Sequence, residues 1–176
     1  MEKLTNLFSL DKKTILLTGA GGILGSIFCK AYLSFGANVV ALDVSKDSLI
    51  KLSESLPEEY SEKALFLNCD ITDEKQINKA IEDSIAKFGS INVLHNNAAS
   101  KSDDLKEFFK EFENYSIDEW NHISKVNIDA MFLMNKHIGK YMIANSIEGS
   151  IIQTSSIYGL VAPDQRIYEG AEYMGV

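Results

Sequence analysis

The chain has 176 residues, 45% of them hydrophobic and 24% charged, which suits one soluble domain with a sizeable core. A formal net charge of -8, carried with scattered rather than clustered lysines, opposes a phosphate backbone or an anionic lipid surface, so neither nucleic acid nor a membrane is an expected partner. The opening MEKLTNLFSLDKK has no signal-peptide core, no later stretch is long enough to span a bilayer, and Cys29 and Cys69 form no Cys-x-x-Cys pair, so the expectation is a cytoplasmic protein without a disulfide framework or a metal site.

The first element is TILLTG, an apolar run of strand length. TGAGGILG follows it, with Gly19, Gly22 and Gly25 three apart, and opens the helix-period stretch ILGSIFCKAYLSFG. A turn free of side chains between a strand and a helix lets backbone N–H groups and the helix N-terminus meet a pyrophosphate. Gly19, Gly21, Gly22, Ile23, Leu24 and Gly25 are therefore candidate cofactor-binding residues, the plainer alternative being a merely flexible turn. ANVVALD, the second strand, ends in Asp43 about 20 residues beyond the glycines, where a carboxylate can accept hydrogen bonds from ribose hydroxyls. It would also repel a 2′-phosphate, which favours NAD over NADP, although Lys46 nearby tempers the preference. A helix N-cap is the competing role for Asp43, and Ser45 could fill that role equally well.

SKDSLIKLSESL is the second helix, ALFLNCD the third strand, and TDEKQINKAIEDSIAKFG the third helix. The first and third helices stop at a glycine suited to a C-cap. INVLHN is the fourth strand. An excursion, SKSDDLKEFFKEFENY, precedes a helix at SIDEW, where Ser116 and Glu119 are spaced as a capping box. SIIQTSS is the fifth strand. None of these runs alternates strictly, as expected for strands buried on both faces of a parallel sheet. The βα repeat, with right-handed crossovers, gives a doubly wound α/β sheet.

Five motifs in this order resemble the short-chain dehydrogenase/reductase family over essentially the whole chain. FSLDKKTILLTGA is similar to its entry strand. CDITD resembles the segment whose aspartate, here Asp70, and next residue, here Ile71, contact adenine. NNAA, Asn96 to Ala99, resembles the Asn-Asn-Ala-Gly turn beside the nicotinamide ribose, implicating Asn97, Ala98 and Ala99. KVNIDAMF resembles the helix carrying a structural and catalytic asparagine, here Asn127. GSIIQTSSIYG resembles the strand that brings Thr154 to the cofactor and presents the catalytic serine, here Ser156 rather than Ser155. Ile23 stands where one subgroup has its middle glycine, and the 19/22/25 spacing and Ala99 resemble the extended subgroup that uses sugar nucleotides.

The resemblance implies a Rossmann-type sheet of about five strands, order 3-2-1-4-5, all of 1–176 forming one NAD(P)-binding domain whose C-terminal strands are missing. It also implies a tyrosine that exchanges a proton with the substrate oxygen and a lysine four residues later that lowers its pKa. A free phenol titrates near pH ~10 and is a poor acid-base group at neutrality. Lys140 is the last lysine; Tyr168 is followed four positions on by Glu172, and Tyr173 would need a lysine beyond Val176. The expectation is thus a chain truncated before this pair, inactive by itself, with its fifth strand left as an edge that favours homo-oligomers or aggregation. APDQRIYEG is similar to a longer serine-to-tyrosine loop of members from bacterial surface-polysaccharide gene clusters.

Three functions follow from these readings. The first is an NAD-dependent oxidoreductase moving hydride at a carbonyl/alcohol centre of a small molecule, such as a sugar or sugar nucleotide. The second is a nucleotide-sugar epimerase or dehydratase holding NAD, and the third a non-catalytic dinucleotide-binding module. His95, ending a buried strand, and His122 and His137, on one long helix, lack ligand spacing and read as structural or solvated. Met131, Met134 and Met142, recurring with Trp120, Ile123, Ile138 and Tyr141, read as core.

Overall fold

The computed structural model describes residues 6–101, 104–162 and 164–172, without the side chains of Asn6, Gln165 and Tyr168. Tyr173 and Val176 lie outside the described residues. Five strands, β1 (Thr14–Thr18), β2 (Asn38–Asp43), β3 (Ala64–Asn68), β4 (Val93–Asn96) and β5 (Ser150–Gln153), form one sheet in the order β3-β2-β1-β4-β5. Every pairing is parallel, and the register sets Leu16 of β1 against Val40 of β2 and Leu94 of β4. The helices are α1 (Ile23–Ser34), α2 (Lys46–Glu54), α3 (Glu74–Phe88), the short α4 (Leu105–Phe108), α5 (Ile117–Ser124) and α6 (Ala130–Ala144).

The apolar runs lack alternation because β1 and β2 have both faces covered. Leu17, Val39 and Ala41 pack with Cys29 and Leu33 of α1 and with Leu49 and Leu52 of α2. Leu16, Val40, Leu42 and Leu94 meet Ile77 and Ile81 of α3 and Met134 and Ile138 of α6 on the other side. All five residues of β1 are buried, which fixes the centre of the sheet. Gly36, one residue past the C-cap of α1, and Gly89, the C-cap of α3, end their helices with positive φ, 95° and 80°.

Two sequence expectations fail here. The run SIIQTSS reads as a strand buried on both faces, yet Ile151 and Ile152 are 40% and 43% exposed. The strand lies at the sheet edge with β4 as its neighbour, so pairing alone does not cover its side chains. Trp120 reads as core with the methionines but is 57% exposed, whereas Met134 and Met142 are buried. Between α5 and α6 the chain winds as a π-helix over Lys125–Asp129. That wider turn carries about one extra residue and rotates the apolar stripe by roughly 100° relative to a straight α-helix.

β1 and β4 flank the point where strand order reverses: the chain moves outward from β1 to β2 and β3, then returns to β4 on the other side. In open parallel sheets a ligand crevice forms there, beyond the C-terminal ends of the strands. No helix among the described residues is long and apolar enough to cross a membrane.

Candidate functional site

The crevice begins at Thr18, the buried last residue of β1. Its Oγ1 accepts the backbone N–H groups of Asn97 and Ala98, both at 3.0 Å. The Asn97 Nδ2 returns the contact, donating to the carbonyls of Thr18 and Gly19 at 3.2 and 3.3 Å. The glycine turn after β1 and the turn after β4 are thus laced together. Gly19 sits at φ +64°, and a Cβ there would stand 2.7 Å from the Ala98 Cα, so both conformation and contact demand glycine.

The remaining glycines serve other needs. A Cβ on Gly25 would collide with the Gly19 carbonyl oxygen and lie 2.8 Å from the Ala20 Cα, so this residue allows α1 to rise directly from the turn. Gly21 donates its N–H to Asp43 Oδ2 at 2.9 Å, and a Cβ on it would lie 2.6 Å from the Ser48 Cβ. Gly22 is the N-cap of α1 and supplies no side-chain acceptor. The side chains of Ile23 and Leu24 point outward, 86% and 54% exposed. The first N–H groups of this twelve-residue helix therefore have neither a side-chain cap nor an acidic residue in the first turn. Such an end attracts an anion.

Asp43 closes the other side of the turn. Its Oδ1 accepts the Ser45 N–H at 2.8 Å, and Ser45, not Asp43, caps α2 by accepting from the Ser48 N–H at 3.2 Å. The carboxylate is thereby oriented at the end of β2, and each oxygen keeps lone pairs for a further donor. Beyond β3, Asp70 Oδ1 accepts the Thr72 N–H at 2.9 Å. The Ile71 side chain belongs to the core, so only its backbone is available to a ligand.

Asn127 lies in the π-helical segment and clamps the residue after the Asn96–Ala99 turn: the Ser100 N–H donates to its Oδ1 at 2.7 Å, and its Nδ2 donates to the Ser100 carbonyl at 2.9 Å. Widened turns of this kind recur where a helix must present a side chain to a site. Ser156 is exposed, and its Oγ accepts the Tyr158 N–H at 3.2 Å, capping the short turn Ile157–Gly159. Thr154 extends the β5 ladder by donating its N–H to the Asn96 carbonyl at 2.9 Å. Ser156 and the glycine turn are thus carried on separate strand ends, joined through β4.

Burial pushes the Cys29 thiol up to about 12, and the Cys69 thiol up to about 11 with help from Asp70 and Asp73, so neither is a nucleophile at neutral pH. Thr18 is not among the residues the sequence singles out, and His95 reads from it as structural or solvated. His95 is 4% exposed, yet both of its ring nitrogens have polar partners, Tyr32 and Thr154. The one signal for it in the sequence is a titratable residue within the apolar run INVLHN.

A doubly wound parallel sheet, with a glycine turn laced across its switch point and an open helix N-terminus, defines a Rossmann-type nucleotide-binding architecture. The chain belongs to the short chain dehydrogenase family, whose model matches residues 13–171. It is 33% identical over 167 residues to the 3-oxoacyl-(acyl-carrier-protein) reductase of Thermotoga maritima, covering 93% of this chain and 63% of that protein. The crystal structure of a 3-ketoacyl-(acyl-carrier-protein) reductase from Brucella melitensis complexed with NADH matches with TM-score 0.73 at 28% identity, covering 85% of this chain and 60% of that one. A structure of NAD+-bound xylitol dehydrogenase matches with TM-score 0.78 at 26% identity, covering 91% and 59%. The chain thus spans about three fifths of the length of these relatives.

Proposed function

We propose that this chain is the dinucleotide-binding part of an NAD(H)-dependent oxidoreductase acting at a carbonyl/alcohol centre of a sugar or polyol. The observation that carries the reading is the pairing of Asp43 with Gly21 beside the uncapped N-terminus of α1. The backbone N–H groups of Ile23 and Leu24 receive the pyrophosphate, Asp43 accepts the adenosine ribose hydroxyls, and Asp70 with the Ile71 backbone borders the adenine. Asn97, Ala98, Ala99 and Thr154 line the nicotinamide end. When bound, the nicotinamide supplies or takes up hydride. Asn127 holds the turn at Ser100, and Ser156 Oγ hydrogen-bonds the substrate oxygen. NADH and xylitol dehydrogenase complexes among the relatives support the cofactor and the polyol class.

The 176-residue polypeptide is proposed to bind the dinucleotide. The test is a fluorescence titration with NADH and NADPH. NADH should bind at least about tenfold more tightly, equivalent to ~1.4 kcal/mol, and Asp43→Ala should narrow that gap. Equal affinities in the unaltered chain would reject the assignment of Asp43.

A further inference from the structure

His95 is the polar residue that β4 turns toward α1. Its ring is packed by Phe28, 4.8 Å away between centroids, and by the edge of Tyr32 at 6.0 Å. Packing is not its only engagement. Nδ1 lies 2.9 Å from the Tyr32 hydroxyl, and Nε2 lies 3.0 Å from Thr154 Oγ1. Thr154 Oγ1 in turn lies 3.4 Å from Asn97 Oδ1, and Asn97 Nδ2 ends the series at the carbonyls of Thr18 and Gly19.

The direction of every bond in this series follows from its last member. Two backbone carbonyls can only accept, so the Asn97 nitrogen faces them and its oxygen faces Thr154. That oxygen also only accepts, which commits the Thr154 hydroxyl proton to Asn97. The Thr154 oxygen must then accept from His95, placing the imidazole proton on Nε2. A neutral ring with Nε2–H has a bare Nδ1, so Tyr32 donates to it. Desolvation lowers the His95 pKa, in keeping with the neutral ring that this order needs.

We propose that His95, as the Nε2–H tautomer, is a positioning residue that acts through Thr154 to orient the Asn97 carboxamide and so holds the Gly19 carbonyl and the Asn97–Ala98 turn in the form that receives the dinucleotide. The inference rests on the dinucleotide site proposed above. It gives a buried histidine a role that packing alone does not require, since a valine would fill a strand position between Leu94 and Asn96 without a proton to place. It also joins the two strand ends of the site, because Thr154 stands two residues before Ser156.

The experiment uses the 176-residue chain labelled with 15N. Imidazole spectra of the free protein should show His95 in the Nε2–H form; an Nδ1–H ring would overturn the proposal. His95→Val and Thr154→Val should move the Asn97 side-chain amide resonances in the free protein and weaken NADH about fivefold, the scale of one lost hydrogen bond. His95→Gln, whose amide can both accept from Tyr32 and donate to Thr154, should restore affinity to within about twofold of the parent. Thr154 follows the last strand at the sheet edge, so its variant reports even if His95→Val fails to fold. Unmoved Asn97 resonances, or unchanged NADH affinity in both valine variants, would overturn the relay while leaving the dinucleotide site standing. An unaltered chain that shows the Nε2–H ring but binds no NADH would instead overturn the site, and the positioning role with it.

Discussion

At the C-terminal rim of the sheet, Asp43, Asn97 and Asn127 hold partners far away in the chain, beside local contacts such as that of Asp70 with Thr72. Asp43 reaches back 22 residues to Gly21, Asn97 reaches 78 and 79 residues to Gly19 and Thr18, and Asn127 reaches 27 residues to Ser100. Around Ser156 the pattern is different. The Ser156 hydroxyl accepts from Tyr158, and Arg166 grips Asp164, each contact spanning two residues. Every residue from Ser150 to Ala162 is exposed, whereas β1 is wholly buried. A rim built from long-range contacts is fixed by the fold before any ligand arrives; a segment built from neighbours is fixed only locally. The dinucleotide half of the candidate site is therefore tied together across the sheet, whereas Ser156 itself caps its own short turn among the described residues.

Substitutions that strike both regions should separate them. Gly19→Val combines a left-handed backbone with a side chain driven into the Ala98 backbone and should cost about 3 kcal/mol or more in chemical denaturation, with NADH binding lost. Asn127→Ala leaves the Ser100 N–H and carbonyl without their partner and should cost about 1–3 kcal/mol by the same measurement.

A smaller effect comes from pH. Burial lowers the His95 pKa below its usual 6.5, so on acidification the unfolded chain takes up this proton before the folded one. The associated stability is complete above pH 6.5 and is lost as pH falls through the lowered folded value. Tyr32, bonded to His95, has its own pKa raised by burial and stays protonated throughout. Denaturation midpoints measured from pH 7.5 down to about 5 should fall for the parent, and His95→Gln should remove that part of the slope.

The smallest effects are expected in the serine segment. A Cβ on Gly159 meets nothing closer than the Ser155 hydroxyl at 3.7 Å, and Ser156 caps only a three-residue turn. Gly159→Ala and Ser156→Ala should each leave stability within about 0.5 kcal/mol. A loss above 2 kcal/mol at either position would show that this segment is tied to the body of the fold, which would erase the contrast.

The same contrast explains what the sequence revealed. Strands covered on both faces appear as apolar runs, so TILLT and NVVAL were legible, and the strand-glycine-helix order located the crevice. Asp43 was legible by its distance from the glycines, and Ser45 settles the capping question by taking the N-cap itself. The partners of His95 were not legible, because Tyr32 and Thr154 are 63 and 59 residues away and no periodicity links them. The clamp of Asn127 on Ser100 depends on a π-helical turn, and that turn also carried Trp120 off the expected stripe. The exposure of β5 was hidden because SIIQ has the composition of a buried strand while its burial is decided by its place in the sheet.

Amide hydrogen exchange of the 176-residue chain with and without saturating NADH tests the central claim most directly. A preorganised dinucleotide site predicts added protection at Gly21 to Gly25 and at Asn96 to Ser100, with exchange from Ile157 to Glu172 unchanged. Protection confined to Ile157–Glu172, or none at the start of α1, would contradict it.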